Sequence, residues 1–348
     1  MAELTNILVT GNKGYIGSIL TRLLVQQGYT VTGFDTDYYR GCELSPLETH
    51  LTQITKDLRN VSKDDLKGID AIIHLAALSN DPLGELKPTL TTDINFKATV
   101  RLAKLAKAGG VRRFIYSSSQ SMYGIANTDE ELDEDNSEKN PITMYAKTKW
   151  DAEQELRKLG SQDFLVVCFR PSTVFGASPK LRCDIVYNNL VASAYTSGKI
   201  EVKSDGTPWR PVVHVQDVSK AFIAGLTAPD DLLANQSFNV GIKDGNFTVR
   251  QLAEAAQQVV KGSTVVFTGE HGSDSRTYRV SFKKILSQLK DYYKPDWDLI
   301  RGGKELVTFF DAVHFKKEEF KGRQCNRLVQ LKYLLDQKNI DEQLFWTV

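Results

Sequence analysis

Tyr145 and Lys149 stand four residues apart in a stretch whose helical pattern continues through Trp150 and Glu153. A spacing of four places two side chains on the same face of a helix. A phenol with a reference pKa of about 10 is a poor base at neutral pH, but a nearby ammonium group stabilises its phenolate. The pair therefore predicts a tyrosine that accepts a proton from a hydroxyl group, although such a pair also occurs by chance on exposed helix faces.

Three consecutive serines, Ser117 to Ser119, close an apolar run that is typical of a buried strand. In doubly wound folds, ligands bind at the edge of the sheet where the carboxyl ends of the parallel strands meet. A serine hydroxyl at this edge can share a substrate proton with Tyr145. The serine, the tyrosine and the lysine together predict a proton relay.

A glycine cluster, Gly11, Gly14 and Gly17, lies between a strand-like run and a helical pattern. Glycines at such a turn let the backbone approach a pyrophosphate, and the helix amino terminus supplies N–H donors. Asp35 ends the second predicted strand, where a carboxylate accepts the adenosine ribose hydroxyls and repels a 2′-phosphate. These features predict NAD as the cofactor; the alternative is a tight-turn glycine cluster with a surface aspartate. Asp57 and Leu58 end the third predicted strand and are expected to flank the adenine.

The elements that position these residues alternate short β-branched runs with helical patterns, which indicates βαβ units in a parallel sheet. A helix is predicted over Thr91 to Ala108, since two glycines follow it. The predicted strands are Asn6 to Thr10, Thr30 to Asp35, Ile54 to Leu58, Ala71 to Ala77, Arg113 to Ser119 and Phe164 to Pro171.

Beyond Pro171 the pattern becomes less regular, with strands predicted at Pro211 to Val215 and Ser237 to Val240 and a helix at Val249 to Val260. We predict an α/β fold, a Rossmann-type doubly wound parallel sheet with a smaller interleaved substrate-binding lobe. The predicted NAD-binding domain spans residues 1–175, with 211–240 returning to it, and the substrate-binding lobe comprises 176–210 and 241–348.

The composition excludes several classes of function. The 348 residues include 44 Lys and Arg against 43 Asp and Glu, so no basic excess favours nucleic acid or an anionic membrane. The four cysteines lack metal-ligand or CxxC spacing, which predicts a reduced setting and no metal site. No export signal or membrane-spanning run is recognisable, so a cytoplasmic location is expected.

Taken together, the motifs resemble the extended short-chain dehydrogenase/reductase family, in particular its NAD-dependent nucleotide-sugar epimerases and dehydratases. The resemblance covers roughly Leu4 to Lys284. It rests on the glycine loop, the Tyr145–Lys149 pair and further motifs in the expected order, namely His74-Leu75-Ala76-Ala77, Asp93-Ile94-Asn95, Ser119-Gln120-Ser121-Met122-Tyr123-Gly124, Arg170-Pro171-Ser172-Thr173-Val174-Phe175-Gly176, Asn188-Asn189-Leu190 and Trp209-Arg210-Pro211.

The resemblance implies roles for individual residues and a nucleotide-diphosphate sugar as substrate. Ser119, Tyr145 and Lys149 would be catalytic. The implied cofactor-binding residues are Gly11, Gly14, Tyr15, Ile16, Gly17, Asp35, Asp57, Leu58, Leu75, Ala76, Ala77, Asn95, Tyr145, Lys149 and Pro171. The implied substrate-binding residues are Ser119, Gln120, Asn189, Arg210 and Arg276, the last of which is equally compatible with a surface ion pair. A homodimer is also implied, paired through the helices predicted over Thr91 to Ala108 and Thr143 to Leu159.

Gln120 and Ser121 bear on the reaction. Similar dehydratases carry Asp-Glu at these positions, and neither an amide nor an alcohol is a competent general acid or base near pH 7. Epimerisation at C3 or C5 also needs a further acid/base pair, often with a cysteine near this loop, and none lies between Cys42 and Cys168. The leading prediction is therefore a nucleotide-sugar 4-epimerase that passes through a 4-keto intermediate. A C4 dehydrogenase with net NADH formation is the alternative; a dehydratase, or a non-catalytic sensor that keeps the fold, is disfavoured.

Overall fold

A computed structural model describes residues 4–79, 81–125, 129–270 and 277–347 of the chain. The strands are β1 (Asn6–Thr10), β2 (Thr30–Asp35), β3 (Thr52–Thr55), β4 (Ala71–His74), β5 (Arg113–Ser117), β6 (Glu131–Leu132), β7 (Leu165–Pro171), β8 (Thr173–Phe175), β9 (Lys199–Val202), β10 (Trp209–His214), β11 (Gln236–Val240), β12 (Asn246–Thr248), β13 (Thr264–Phe267) and β14 (Arg279–Val280).

The helices are α1 (Tyr15–Gln26), α2 (Asp81–Gly84), α3 (Pro88–Thr91), α4 (Ala98–Ala108), α5 (Met144–Leu159), α6 (Val186–Ser197), α7 (Val215–Thr227), α8 (Asp230–Leu233), α9 (Val249–Val259), α10 (Lys283–Gln288), α11 (Leu299–Ala312), α12 (Lys317–Lys321) and α13 (Arg327–Asp336). A π-helical turn, Thr92–Lys97, joins α3 to α4. Short 3₁₀ turns lie at Leu58–Asn60, Asp64–Leu66 and Gln120–Tyr123.

The central sheet has seven parallel strands in the order β11-β7-β5-β4-β1-β2-β3. The strand order changes direction between β1 and β4, so a crevice opens where their carboxyl ends diverge. This arrangement confirms the predicted Rossmann-type α/β fold.

Helices cover both faces of this sheet. On β4, Ile72 packs into a cluster with Leu102 of α4 and Leu156 of α5, whereas Ile73 packs on the opposite face with Leu20 of α1. Both isoleucines are fully buried, as expected for a parallel strand covered on two sides. The helices therefore hold the crevice-forming loops on a rigid support.

A smaller layer forms beside the main sheet. In it β10 pairs with β8 in parallel and with β12 in antiparallel, and β9 pairs with β13. Of the stretch 211–240, β11 joins the seven-stranded sheet beside β7, and α7 packs against α1, β5 and β7. The beginning of the stretch, in β10, belongs to the smaller sheet.

Several strands end earlier than their hydrophobic patterns suggested. β4 ends at His74 rather than Ala77, and β5 ends at Ser117 rather than Ser119. β3 is shifted to Thr52–Thr55, since the Asp57 carboxylate accepts the Arg59 N–H at 2.8 Å and caps a 3₁₀ turn at Leu58. In each case the residues beyond the strand leave the sheet at its carboxyl edge. The ligand-binding loops therefore begin sooner than the pattern predicted.

Candidate active site

The amino terminus of α5 fixes the position of Tyr145. The Thr143 hydroxyl accepts the Ala146 N–H at 3.2 Å, which caps the helix, and it also donates to the Asp81 carboxylate of α2. Gly84 lies against Tyr145, because a β-carbon at Gly84 would stand 3.1 Å from the Tyr145 backbone nitrogen. Helix α2 therefore forms one wall beside the tyrosine.

Tyr145 and Ser119 lie close together at the carboxyl edge of the sheet. Ser119 lies just beyond β5, and its hydroxyl is 2.7 Å from the hydroxyl of Ser121. Burial raises the pKa of Tyr145 to about 12, and the nearby side chain of Ser119 partly opposes this rise. The phenol is therefore neutral at neutral pH until a further positive charge enters the site.

Lys149 lies one helical turn after Tyr145 and is 3% exposed. Its ammonium group donates to the carbonyl oxygen of Ser117 at 2.6 Å and lies 4.9 Å from the centre of the Tyr116 ring. Burial lowers the pKa of Lys149 to about 7. The folded protein thus holds this cation where water stabilises it poorly.

Glu153, one turn further along α5, was not among the predicted site residues. It is completely buried and pairs with Arg170 of β7 at 2.6 Å, and it accepts hydrogen bonds from Ser118 at 2.5 Å and Ser237 at 2.7 Å. Burial raises the pKa of Glu153, but the charge of Arg170 and these hydrogen bonds outweigh that effect, so the net pKa is lowered. The ion pair joins α5 to β7, and the two hydrogen bonds join it to β11 and to the residue directly after β5.

The glycine turn between β1 and α1 leaves little space for side chains. Gly11 has a φ of +75°, and a β-carbon on it would stand 2.8 Å from the backbone nitrogen of Ala76. A β-carbon on Gly17 would lie 2.1 Å from the Gly11 carbonyl oxygen. Helix α1 begins at Tyr15 with Gly14 as its N-cap, so no side chain caps its first N–H groups. This backbone fits a phosphate-binding turn.

The side chains of Tyr15 and Ile16 leave the turn toward the smaller layer. The Tyr15 hydroxyl donates to the carbonyl oxygen of Gly176 at 2.7 Å and accepts from Asn188 at 3.1 Å, and Ile16 packs at the edge of the same apolar cluster. Tyr15 therefore ties the glycine turn to the loop after β8.

Asp35 lies at the carboxyl end of β2, beside the crevice. Its two oxygens accept the backbone N–H groups of Lys13 at 3.0 Å and Asp37 at 2.8 Å. Burial raises the pKa of Asp35, and these hydrogen bonds only partly oppose the rise. The carboxylate is thus held in a fixed orientation between the glycine turn and the next loop.

Asp57 and Leu58 follow β3 on the same side of the crevice. The Asp57 carboxylate forms a two-point ion pair with Arg59, at 2.9 and 2.8 Å. Leu58 is 5% exposed and belongs to the core cluster beneath the loop.

The loop after β4 carries Leu75, Ala76 and Ala77, all partly buried at the carboxyl edge. Asn95 anchors the next residue, because its amide oxygen accepts the Leu78 N–H at 2.8 Å and its amide nitrogen donates to the Leu78 carbonyl at 3.1 Å. The structure therefore gives Asn95 a part in holding this loop. Pro171 ends β7 opposite Val240 of β11.

Gln120 is 1% exposed and lies beside β7 and β11. Its amide nitrogen donates to the carbonyl oxygens of Arg170 at 3.0 Å and Val240 at 3.4 Å, which fixes the orientation of the amide. Among the described residues, nothing donates to its Oε1 atom. A buried acceptor of this kind is costly unless a ligand supplies the donor.

Two of the remaining predicted substrate residues lie in the described part of the chain. Asn189, on α6, donates to the Cys183 carbonyl at 2.8 Å, and Arg210, on β10, donates to the Trp209 carbonyl at 2.9 Å. Arg276 falls outside the described residues.

A family model described as the NAD dependent epimerase/dehydratase family matches residues 7–241, which include the glycine turn, the serines and Tyr145 with Lys149. The chain belongs to this family. Its cofactor is accordingly NAD, and the chain is an enzyme of the epimerase/dehydratase type.

Relatives of known function extend the similarity beyond the matched region. The UDP-glucuronate 4-epimerase of Thermodesulfobacterium geofontis is 26% identical over 318 residues, covering 87% of this chain and 95% of its own length. The 3-beta-hydroxysteroid dehydrogenase of Mycolicibacterium neoaurum is 29% identical over 233 residues, 61% of this chain and 60% of its own length. The solved structure of MoeE5 in complex with UDP-glucose and NAD is 26% identical, with a TM-score of 0.75 over 88% of this chain and 99% of that one.

The residues present fit the cofactor of the family. A β-carbon on Gly11 or Gly17 would collide with backbone atoms of the protein, so glycine keeps this turn tight and its N–H groups accessible to a pyrophosphate. Asp35 would hold the ribose hydroxyls through its fixed carboxylate.

Arg182 is a site residue that the sequence analysis missed. This arginine is 8% exposed, forms a two-point ion pair with Asp184 at 2.8 and 3.0 Å, and donates to the Ser79 hydroxyl at 3.2 Å. Its charge also lowers the pKa of Tyr145, against the larger effect of burial. Arg182 lies in the loop between β8 and α6 and reaches the crevice of the central sheet from there. No spacing of residues in the sequence predicts this position.

Proposed function

We propose that the protein is an NAD-dependent 4-epimerase of a nucleotide-diphosphate sugar. The observation that carries the proposal is the proximity of Ser119, Tyr145 and Lys149, without a carboxylic acid or base at the two positions after Ser119. Ser119 lies near Tyr145, Lys149 lies buried on the same helix, and the two positions after Ser119 are an amide and an alcohol. The 4-epimerase among the relatives that spans most of this chain supports the same reaction.

Residues of this chain remove the proton of the sugar C4 hydroxyl and later return it. Bound NAD supplies a hydride acceptor at C4 and a positive ring that favours the phenolate of Tyr145. Tyr145 then accepts the C4 hydroxyl proton, and Ser119 holds the same oxygen by a hydrogen bond. Lys149 places a cationic donor beneath the pair. When the 4-keto sugar has turned its other face to the site, the hydride held by the cofactor would return to C4 and Tyr145 would return the proton to the oxygen.

Elimination of water would require a further acid and base near the sugar C5 and C6 atoms. The positions that follow Ser119 do not provide them. The Gln120 amide nitrogen donates to two backbone carbonyl groups, and the Ser121 hydroxyl is hydrogen-bonded to the Ser119 hydroxyl. A dehydratase is therefore not the function that this geometry supports.

For the substrate, we propose Ser119 and Gln120 at the sugar and Asn189, Arg210 and Arg276 at the nucleotide diphosphate. A guanidinium group offers a diphosphate two parallel donors. Arg182 is added to this set, because it lies buried near Tyr145.

The test is incubation of the purified protein with NAD and a panel of UDP-, GDP-, CDP- and dTDP-sugars, followed by NMR and by absorbance at 340 nm. We expect a C4 epimer without net NADH. Tyr145→Phe should lower kcat by about 10²–10⁴-fold, because it removes the proton acceptor, while NAD binding remains. A ketone with stoichiometric NADH would instead establish a dehydrogenase, and loss of water would establish a dehydratase.

We further propose a homodimer in the cytoplasm. A shallow cavity of about 480 Å³ lies beside α4 and α5. Its apolar lining residues are Phe96, Val100 and Leu105, and its charged ones are Lys97, Arg101, Lys104 and Glu155. Exposed apolar side chains within a charged rim are typical of a surface that pairs with another molecule. Within the described residues, no helix has the length and apolar character needed to cross a membrane.

A further inference from the structure

Residues 327–347, called the strap below, lie outside the region that matches the family model. The strap consists of α13 and an irregular segment whose ends meet in a β-bridge between Ile340 and Trp346. None of the proposed catalytic or substrate-binding residues belongs to it. Its contacts are nevertheless concentrated on the loops that follow the crevice-forming strands.

The strap is hydrogen-bonded to the segment that directly follows Asp35. The Trp346 indole donates to the Thr36 carbonyl at 2.6 Å, and the Tyr38 hydroxyl donates to the Leu344 carbonyl at 2.5 Å. From α13, the Gln330 amide donates to the Tyr38 carbonyl at 2.9 Å. Both parts of the strap therefore hold the loop after β2.

The same strap also contacts the loop after β3. The guanidinium carbon of Arg59 lies 3.8 Å from the centre of the Phe345 ring, while Arg59 grips Asp57 with two hydrogen bonds. A guanidinium group stacked on an aromatic ring is attracted by the negative face of the ring. Phe345 is thus joined through Arg59 to the position expected beside the adenine.

On the other side of the crevice, the strap meets the chain that follows β4. Leu331 and Leu334 of α13 share an apolar cluster with Leu78 and Leu83, and Lys87 donates to the Glu342 carbonyl at 2.8 Å. In the sheet, β4 lies on one side of β1 while β2 and β3 lie on the other. A segment that contacts the loops after all three strands spans the outer end of the crevice above β1.

Arg327, at the start of α13, connects the strap to two further loops. It is 2% exposed, stacks 4.1 Å over the Tyr39 ring and donates to the Lys180 carbonyl at 2.7 Å. Tyr39 follows β2, and Lys180 lies between β8 and α6. The start of the strap therefore has a fixed position beside the loop after β2.

We propose that the strap is the outer wall of the adenosine half of the NAD site and retains the dinucleotide from one turnover to the next. This inference deepens the proposed 4-epimerase and rests on it for its purpose. An epimerase returns the hydride to the same sugar and never needs to release NADH, whereas a net dehydrogenase must exchange its cofactor in every cycle. A wall tied to three loops favours the first behaviour.

The experiment measures the release of radiolabelled NAD from the full-length protein after a chase with excess unlabelled NAD. The variant Phe345→Ala/Trp346→Ala removes both aromatic contacts, and Val329→Ala, on the exposed side of α13, is the control. We expect release at least 10-fold faster from the double variant and unchanged from the control. Equal release rates for the double variant and the wild type overturn the proposal. Tighter NAD binding by the double variant also overturns it, because the strap would then occupy the pocket instead of covering it.

A second measurement uses the wild-type protein alone, so it does not depend on the folding of a variant. Hydrogen–deuterium exchange of residues 327–347 should slow at least several-fold when NAD is added. Exchange that NAD leaves unchanged contradicts a wall on the cofactor. Neither readout requires sugar turnover. Faster release from the double variant with an inert sugar panel would refute the 4-epimerase alone, whereas epimerase activity with unaltered release would refute the strap alone.

Discussion

The buried positive charge of Lys149 supports the proposed catalysis but destabilises the folded protein. Its cation is useful beside Tyr145, but burial lowers its pKa to about 7, below the value of about 10.4 expected in an unfolded chain. Between these values the unfolded protein binds a proton that the folded protein does not. The folded state of the cofactor-free protein is therefore disfavoured below pH 7 and gains stability from this group as the pH rises toward 10.

Lys149→Met should remove this dependence. We expect the free energy of unfolding of the wild type, relative to the variant, to increase between pH 7 and pH 9 because only the wild type carries the titrating group. Urea unfolding of both cofactor-free proteins at pH 7, 8 and 9 measures the difference. Lys147→Met, at an exposed position of α5, serves as the control. A difference between wild type and Lys149→Met that stays constant with pH would contradict the assignment.

A variant at Gln120 tests whether the unpartnered buried oxygen of its side chain binds the sugar. Gln120→Met keeps the volume of the side chain but removes the unpartnered Oε1, together with the amide nitrogen that donates to the Arg170 and Val240 carbonyls. Urea unfolding of the variant measures the effect of these two lost hydrogen bonds on stability. Loss of one hydrogen bond of about 1 kcal/mol corresponds to a roughly five-fold higher KM for the sugar. Steady-state kinetics and NAD titration together measure the effect, since NAD affinity should not change. An unaltered KM would remove Gln120 from the sugar site.

At the scale of elements, three successive turns of α5 contact three successive serines. Tyr145 lies near Ser119, Lys149 donates a hydrogen bond to the Ser117 carbonyl, and Glu153 accepts one from the Ser118 hydroxyl. The helical repeat thus runs alongside the end of β5.

Arg170→Met should destabilise the protein by about 3–5 kcal/mol, because it leaves the buried Glu153 carboxylate without its cation. The double variant Glu153→Leu/Arg170→Met should recover much of this loss, since it removes both charges. Urea unfolding measures the three values. Arg157→Met, at an exposed position of α5, should change stability by less than about 0.5 kcal/mol. A single Arg170 variant as stable as the wild type would show that the pair contributes nothing.

At the scale of the whole molecule, the proposed dimer depends on the apolar face of α4. Val100→Glu should shift the protein toward monomers, since a carboxylate would be buried in the interface. Sedimentation velocity measures the change, and Gln258→Glu adds the same charge at an exposed position of α9. A wild type that sediments as a monomer would refute the proposed dimer.

Much of the site could be predicted from short stretches of the chain. The glycine turn, the Tyr145–Lys149 spacing and Asp35 at a strand end are local patterns, because one βαβ unit or one helix brings those residues together. The parallel α/β architecture follows from the same alternation, whereas the order of the strands came from the structure. Strand ends were less accurate, since β4 and β5 stop where the chain leaves the sheet, although the apolar pattern continues.

Contacts between residues far apart in the chain could not be predicted from sequence spacing and became known only from the tertiary structure. Arg182 reaches the crevice from a loop between β8 and α6, and Glu153 meets Arg170 across two elements. The strap is the extreme case, with Gln330 bonded to Tyr38 across 292 positions and Trp346 to Thr36 across 310. Periodicity reports which face of an element is buried, but it does not report what covers that face. The sequence by itself therefore determined the glycine turn and the placement of Tyr145 and Lys149 on one helix, and only packing between distant segments decided what lies over the outer end of the crevice.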